Sequence, residues 1–505
     1  MTKYLYGASV QGIQDFIFKT NKLAEIIGAS ELVESICTDK FYEVAGIKET
    51  NSNILMAAAG NIKYIFSNEE DCKKFVRHFP KIVMEMAPGI TISQAVVMMA
   101  GDYPSYAEIE GLELKLKTQR NRISVPYERG YMALERARRT GGIAFSEITD
   151  RKGNTQIVDE ATDKKLARVK YKKDCDGEQA NEKLFYKLSG LENVKNREIA
   201  FDITDITNSG KNSWVAVIHA DGNGLGNILQ KYGSEITDNE EFREFSILIQ
   251  KSTEKACQDA FKKIEKQEKF RYPVRPIVIG GDDVTIIIRA DLALDFTVEF
   301  LKSFEANTKE NFKQLKTSAL HGGLTACAGI AYIKEAYPLH YALDLAESLC
   351  KDAKKMVKNN VPLREDGMPK SSLAIFRVQD SFVENLEDMK ERTLKTENGI
   401  RYDYGPYLIQ DEDTFPSINK LNEKLKILKV EAEKNDKSKG VSKLRQIVTE
   451  SFRDSSTMKI MQERMKSVNG DFYKTLGIDK DLDLAGEHKG KSMLYDLIQL
   501  HSFKY

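Results

Sequence analysis

The chain has 505 residues, 41% of them hydrophobic and 30% charged, and its 76 basic and 76 acidic side chains leave a formal net charge of zero. That length gives a soft prior of about three domains with room for several cores, and neutrality argues against a sequence-blind nucleic-acid coat. The chain has no long apolar run and no basic-then-apolar start, so neither a membrane span nor a secretory signal is expected.

The six cysteines are scattered with no C-x-x-C pair. A structural zinc site is therefore not expected, and free thiols in a reducing cytoplasm are. The histidines are isolated, and no His-Asp dipeptide occurs.

Taken in order, residues 3–10 (KYLYGASV) predict a strand. Residues 11–37 predict a helix with Phe16, Ile17, Leu23, Ile26 and Ile27 on its apolar side, and Gly28 marks a break or a close approach. Residues 53–57 and 62–66 predict strands around Ala58-Ala59-Gly60-Asn61. Asn68 is placed to cap a helix reaching about Met86, and residues 89–99 predict another strand. The order β-α-β-β-α-β is that of a ferredoxin-like unit.

Residues 101–210 are charged, rich in turn signals and weakly periodic, and read as an insertion. Their most basic stretch carries Lys115, Lys117, Arg120, Arg122, Arg129, Arg136, Arg138 and Arg139. A solvated helix face laced with ion pairs is the favoured reading, with RNA or partner contact as the alternative.

Residues 214–220 predict an apolar strand running into Asp221-Gly222-Asn223-Gly224-Leu225-Gly226. An amphipathic helix at about 239–267 follows, then residues 273–289, PVRPIVIGGDDVTIIIR. That stretch predicts a β-hairpin turning at Gly280-Gly281-Asp282-Asp283. Asp291 is expected to cap a helix to about Ala306, residues 324–332 to form a strand, Pro338 to open a helix to about Val357, and residues 373–377 to form a last strand. The β-α-β-β-α-β order recurs. Residues 401–409 (RYDYGPYLI) read as an aromatic loop, and helices follow from Pro416.

The expected fold class is therefore α+β: two ferredoxin-like palm domains at 1–100 and 211–380, a charged insertion at 101–210 and a mainly helical domain at 381–505. Laid over each other, Ala8-Ser9 falls on Ala220-Asp221, and Ala58-Ala59-Gly60-Asn61 falls on the GGDD turn. Each carboxylate of the second copy is lost in the first. The first copy is thus read as degenerate and the second as the candidate site.

Asp282 and Asp283 repel each other unless a cation lies between them, and a hard divalent ion, Mg²⁺ or Mn²⁺, suits carboxylate oxygen. With Asp221 they make a two-metal site feasible. Gly222, Asn223, Gly224 and Gly226, with Gly280 and Gly281, supply backbone that a triphosphate can approach. Lys351, Lys354 and Lys355 end the last helix of the second copy, and Lys354 is the one assigned to phosphate.

VAVIHADGNGLG, IGGDDV, and LTACAGIA followed by PLHYALDLAESLCKDAKK resemble the palm domain of the polymerase-cyclase large subunit of type III CRISPR effector complexes. YGASVQGIQDFIFKTNKLAEIIGASELVESI resembles that family's other palm. The resemblance covers about residues 1–100 and 200–380. It implies conversion of ATP, or another NTP, to cyclic oligoadenylate in antiviral defence, with metal on Asp282 and Asp283 and, by position, on Asp221. It also implies effector subunits and RNA as partners, with a stand-alone relative acting outside a guided complex as the alternative, and it leaves self-association open. The family's HD nuclease and cysteine-rich zinc region have no counterpart here, so DNA cleavage is not expected. Two other readings remain: a silent scaffold for RNA or protein, and a cyclic-dinucleotide synthase of the GGDEF kind.

Overall fold

The computed structural model describes residues 2–504 apart from 59, 103, 123–132, 208–212, 226–238, 265–270, 380–384, 413, 434–438, 478–481 and 483–489. Its first elements are β1 (Lys3–Gln11), α1 (Ile13–Phe18), α2 (Leu23–Ser35), β2 (Ile54–Ala58), β3 (Asn61–Phe66), α3 (Glu69–Met86), β4 (Thr91–Met99) and α4 (Tyr106–Arg120). Next come β5 (Ser146–Thr149), β6 (Thr155–Val158), α5 (Glu160–Arg168) and α6 (Lys183–Ser189). The second repeat of β-α-β-β-α-β follows as β7 (Trp214–Gly222), α7 (Asn239–Phe261), β8 (Val274–Gly280), β9 (Asp283–Arg289), α8 (Ala290–Asn311) and β10 (Ala326–Lys334). After it come α9 (Leu339–Asn359), β11 (Ser372–Arg377), α10 (Leu386–Leu394), β12 (Tyr407–Leu408), α11 (Ile418–Glu433), α12 (Lys439–Ser451), α13 (Ser455–Val468), α14 (Gly470–Leu476) and α15 (Leu494–Lys504).

The chain divides into two compact units. One comprises residues 1–206, 224–287 and 303–324, the other 207–223, 288–302 and 325–505.

In the first unit, β2, β3, β1 and β4 form an antiparallel sheet in that order, the ferredoxin-like arrangement. Alternation puts Leu5, Leu55, Ile65 and Met99 against Leu112 and Leu116 of α4. Tyr6, Phe66, Phe75 and Phe79 stack edge and face on the opposite side. Asn68 caps α3 as its sequence predicts, its side chain accepting the Asp71 N–H at 2.8 Å.

The helix expected over residues 11–37 is broken, but not at Gly28. The break falls at residues 19–22, and Gly28 lies inside α2. A Cβ there would stand 2.0 Å from the Lys165 carbonyl oxygen, so the glycine is a contact point between α2 and α5.

Charge in residues 101–206 does not mark a solvated face throughout. Lys165 is buried, donates to the Phe16 carbonyl at 2.6 Å and lies over the Phe16 ring. Glu182 and Arg275 are buried and bonded at 2.6 Å. Of the basic stretch, Arg129 lies outside the described residues, and Arg139 pairs with the buried Glu25.

In the second unit β10 lies between β7, antiparallel, and β11, parallel, with β12 at the edge beside β11. The aromatic loop thus contributes a strand. α9 packs on this sheet through Leu343, Ala346, Leu349 and Ala353. Gly329 of β10 permits the approach, because a Cβ there would meet the Ala346 carbonyl oxygen at 2.1 Å. Asp291 does not cap α8. It lies in the helix's first turn and grips Arg289 in a two-point ion pair, at 2.5 and 2.8 Å. The terminal helices pack on one another through residues including Leu421, Leu428, Leu444, Ile447 and Leu497.

Candidate functional site

In the second unit β7 delivers the first candidate carboxylate. Its interior residues Val215, Ala216, Val217, Ile218 and Ala220 are buried, and its end emerges at Asp221, whose side chain is 40% exposed. One turn from the exposed end of α9, Lys354 reaches across. Its ammonium lies 2.5 Å from Asp221 Oδ2 and donates to the Gly222 carbonyl at 2.7 Å. Lys351 instead pairs along its own helix with Glu347 at 3.7 Å. Neighbouring helical residues point about 100° apart, so Lys355 is turned away from the direction Lys354 takes.

His219 shares β7's Asp221 face, two residues earlier. Burial pushes its imidazole pKa down to about 4; Asp221 opposes the shift, while Lys354 and Lys351 add to it. The ring is neutral at neutral pH. Sequence reasoning passed over this residue, although strand alternation placed it on the same face as Asp221.

The expected glycine cradle behaves unevenly. Gly222 is part of β7, opposite Ala326 of β10. Asn223 is buried and already used: its N–H goes to the Thr325 carbonyl at 2.8 Å and its amide to Thr325 Oγ1 at 3.0 Å. It anchors the turn, and those groups are not open to phosphate. Gly224 takes φ +69°, with open space where a Cβ would lie. Gly226 lies outside the described residues.

In the first unit the GGDD turn sits where its sequence predicts, between β8 ending at Gly280 and β9 starting at Asp283. Gly281 adopts φ +61°, which explains the glycine. Asp282 and Asp283 are half-buried rather than fully exposed. The backbone behind them is held by buried side chains. Thr253 of α7 donates to the Gly281 carbonyl at 2.6 Å, and the Lys187 ammonium lies 3.5 Å from the Ile279 carbonyl. Lys187 is itself held by Glu34 at 2.7 Å and Glu254 at 3.6 Å. Burial lowers its pKa, but the two glutamates outweigh that and raise it, so the lysine stays charged.

The donors at the acidic positions are carboxylate oxygens, which Mg²⁺ and Mn²⁺ accept. Among the described residues no three His, Cys, Asp or Glu side chains form a ready-made metal cluster.

Residues 214–362 match the family described as Cas10/Cmr2, second palm domain. No curated protein matches the chain. Solved structures share its fold. One is the Csm1–Csm4 cassette in complex with cA4, at 13% identity and a TM-score of 0.55, covering 99% of this chain and 70% of that one. Another is the same cassette with pppApA, at 13% identity and a TM-score of 0.54, covering 99% and 69%. A third, with cA3, is 14% identical with a TM-score of 0.52, again covering 99% and 69%. Residues 214–362 are thus similar to the second palm domain of Cas10/Cmr2, and the chain as a whole has the fold of these Csm1–Csm4 structures.

Proposed function

We propose that the chain is a metal-dependent nucleotidyltransferase that joins ATP into oligoadenylate, linear or cyclic, releasing pyrophosphate. Asp221, Asp282 and Asp283 are assigned to metal, and Lys354 with the backbone of Gly222, Gly224, Gly226, Gly280 and Gly281 to the nucleotide. The observation that carries this comes from the degenerate palm. There Ser9 of β1 lies directly opposite Asn61 of β3. The matching positions of the second palm are Asp221 and Asp283. Repetition of the register would put two carboxylates opposite each other where the first palm has a hydroxyl and an amide. The complexes of Csm1–Csm4 with cA4 and cA3 support the product class.

Mg²⁺ or Mn²⁺, when bound, would supply Lewis acidity at the reacting phosphate and favour the ionised attacking hydroxyl. The chain's own residues do the rest. Lys354 neutralises Asp221 in the free protein, and its ammonium meets triphosphate as a compact point charge. Thr253 and Lys187 fix the carbonyls of the GGDD hairpin, so the aspartates are held rather than swinging on a loose turn. A type III effector assembly is the proposed setting, with its RNA and partner subunits, and the reducing cytoplasm the proposed location. Among the described residues no helix is long and apolar enough to cross a membrane.

The test is incubation of the protein with each NTP and Mg²⁺ or Mn²⁺, with mass spectrometry of the products. ATP is expected to give oligoadenylate and pyrophosphate. The double variant Asp282→Ala/Asp283→Ala is expected to lose turnover while keeping its far-UV circular dichroism. Pyrophosphate release by that variant at the wild-type rate would place the chemistry elsewhere, and no turnover of any NTP by wild type would leave the scaffold reading.

A further inference from the structure

Away from the palm carboxylates, the second unit holds a groove of about 620 Å³ where the end of β11 meets α10, α12 and α15. Arg377, Arg392, Arg445 and Arg453 line it, together with Phe452 and Tyr495. Among the described residues its lining includes no carboxylate. Arg377 forms the half-buried floor, its guanidinium stacked 4.1 Å over the Trp214 ring. Its Nε is buried without a hydrogen-bond partner, and among the described residues neither Arg377 nor Arg445 is paired with an acid. Arg453 has only the long contact to Glu450, at 3.9 Å.

Arg377 and Arg445 bring like charge together, at a cost in free energy that an incoming anion recovers. Burial holds the Arg377 guanidinium below its usual range; Tyr495 opposes the shift and Arg445 adds to it. A bidentate guanidinium suits phosphate, and aromatic side chains beside it suit a flat base. The volume lies within the range of small-molecule sites, which favours a bounded ligand over a long polymer track.

We propose that this groove is a second nucleotide site, taking a nucleoside polyphosphate with its phosphates on Arg377 and Arg445 and its base against Phe452 or Tyr495. It is independent of the acidic positions and would let nucleotide level act on the terminal helices.

The probe is 8-azido-ATP, photolysed on the full chain, with the adduct located by peptide mass spectrometry. Adducts are expected in peptides bearing Phe452 or Tyr495, displaced by ATP and retained in Asp282→Ala/Asp283→Ala. Loss of a charge-assisted contact in Arg445→Gln should weaken that labelling about tenfold or more. Arg377→Gln/Arg445→Gln should abolish it. Because Arg377 packs on Trp214, the exposed Arg445→Gln serves if the double variant melts early. Absence of these adducts at saturating probe, or labelling unchanged in Arg445→Gln, would overturn the site. Displacement by single-stranded RNA but not by ATP would assign the groove to a polynucleotide and overturn it equally.

Discussion

Lys354 can be tested as a single side chain. Its pairing with Asp221 is partly solvated, so Lys354→Ala should cost folding stability no more than about 1 kcal/mol. On the proposed reaction it removes a charge-assisted phosphate contact worth roughly 1.5–3 kcal/mol, a ten- to hundredfold fall in kcat/KM. Lys355 lines a different groove, with Asp352 and Tyr404, so Lys355→Ala should leave ATP kinetics near wild type. Equal kinetics for wild type and Lys354→Ala would remove the residue from the site. A second residue, Asp496, gives a pH signature. It is buried and accepts the Tyr407 hydroxyl at 2.5 Å. Burial pushes its carboxyl up to about 7, with Asp403 adding to the rise and the Tyr407 bond opposing it. Between the unfolded value near 4 and that folded value, the unfolded chain gives up a proton that the folded one keeps. Stability is therefore lost as pH rises through this window, by at most ~4 kcal/mol. Asp496→Asn should raise Tm at pH 8 and leave it unchanged at pH 4. An equal gain at both values would mean that the carboxyl does not titrate there.

Among the elements, those with a plain period were legible. β1, β3, β4, β7, β10 and β11 and the cap of α3 fall within a residue or two of where alternation and capping chemistry put them. The hairpin was legible because Gly-Gly-Asp-Asp between two β-branched runs has few other solutions. The burial of Lys165, Lys187, Glu182 and Arg275 was not, because each charge is matched by a partner far away in the chain, which no local window contains. Of the site, the GGDD turn and the Asp221 strand end were readable. Asn223's internal bonds and His219's burial were not, since both depend on packing from β10 or beyond. Gly28 was half readable: of its two readings, the close approach holds, against α5, and the break does not. Any side chain there must push α5 off α2, so Gly28→Ala should destabilise by about 1–3 kcal/mol despite alanine's better helix propensity. Urea denaturation measures it. A stability equal to or above wild type would mean that α5 gives way freely.

On the scale of the whole molecule, the β-α-β-β-α-β order occurs twice, once with aspartates at its first strand end and turn and once without. The copy without carboxylates has Ser9 opposite Asn61, with Gly60 at φ +82° in its turn. The compact units do not follow the repeat, because the chain passes between them five times. Pairing of β7 with β10 makes the cost of this visible in time. Gly222 lies opposite Ala326, about a hundred residues later. A ribosome adding roughly 5–20 residues per second leaves the apolar strand VAVIHA without that partner for on the order of 5–20 s. For that interval one edge of β7 is an open template for any other nascent strand, so the yield of folded protein in a cell depends on translation speed and on chaperones that shield the edge.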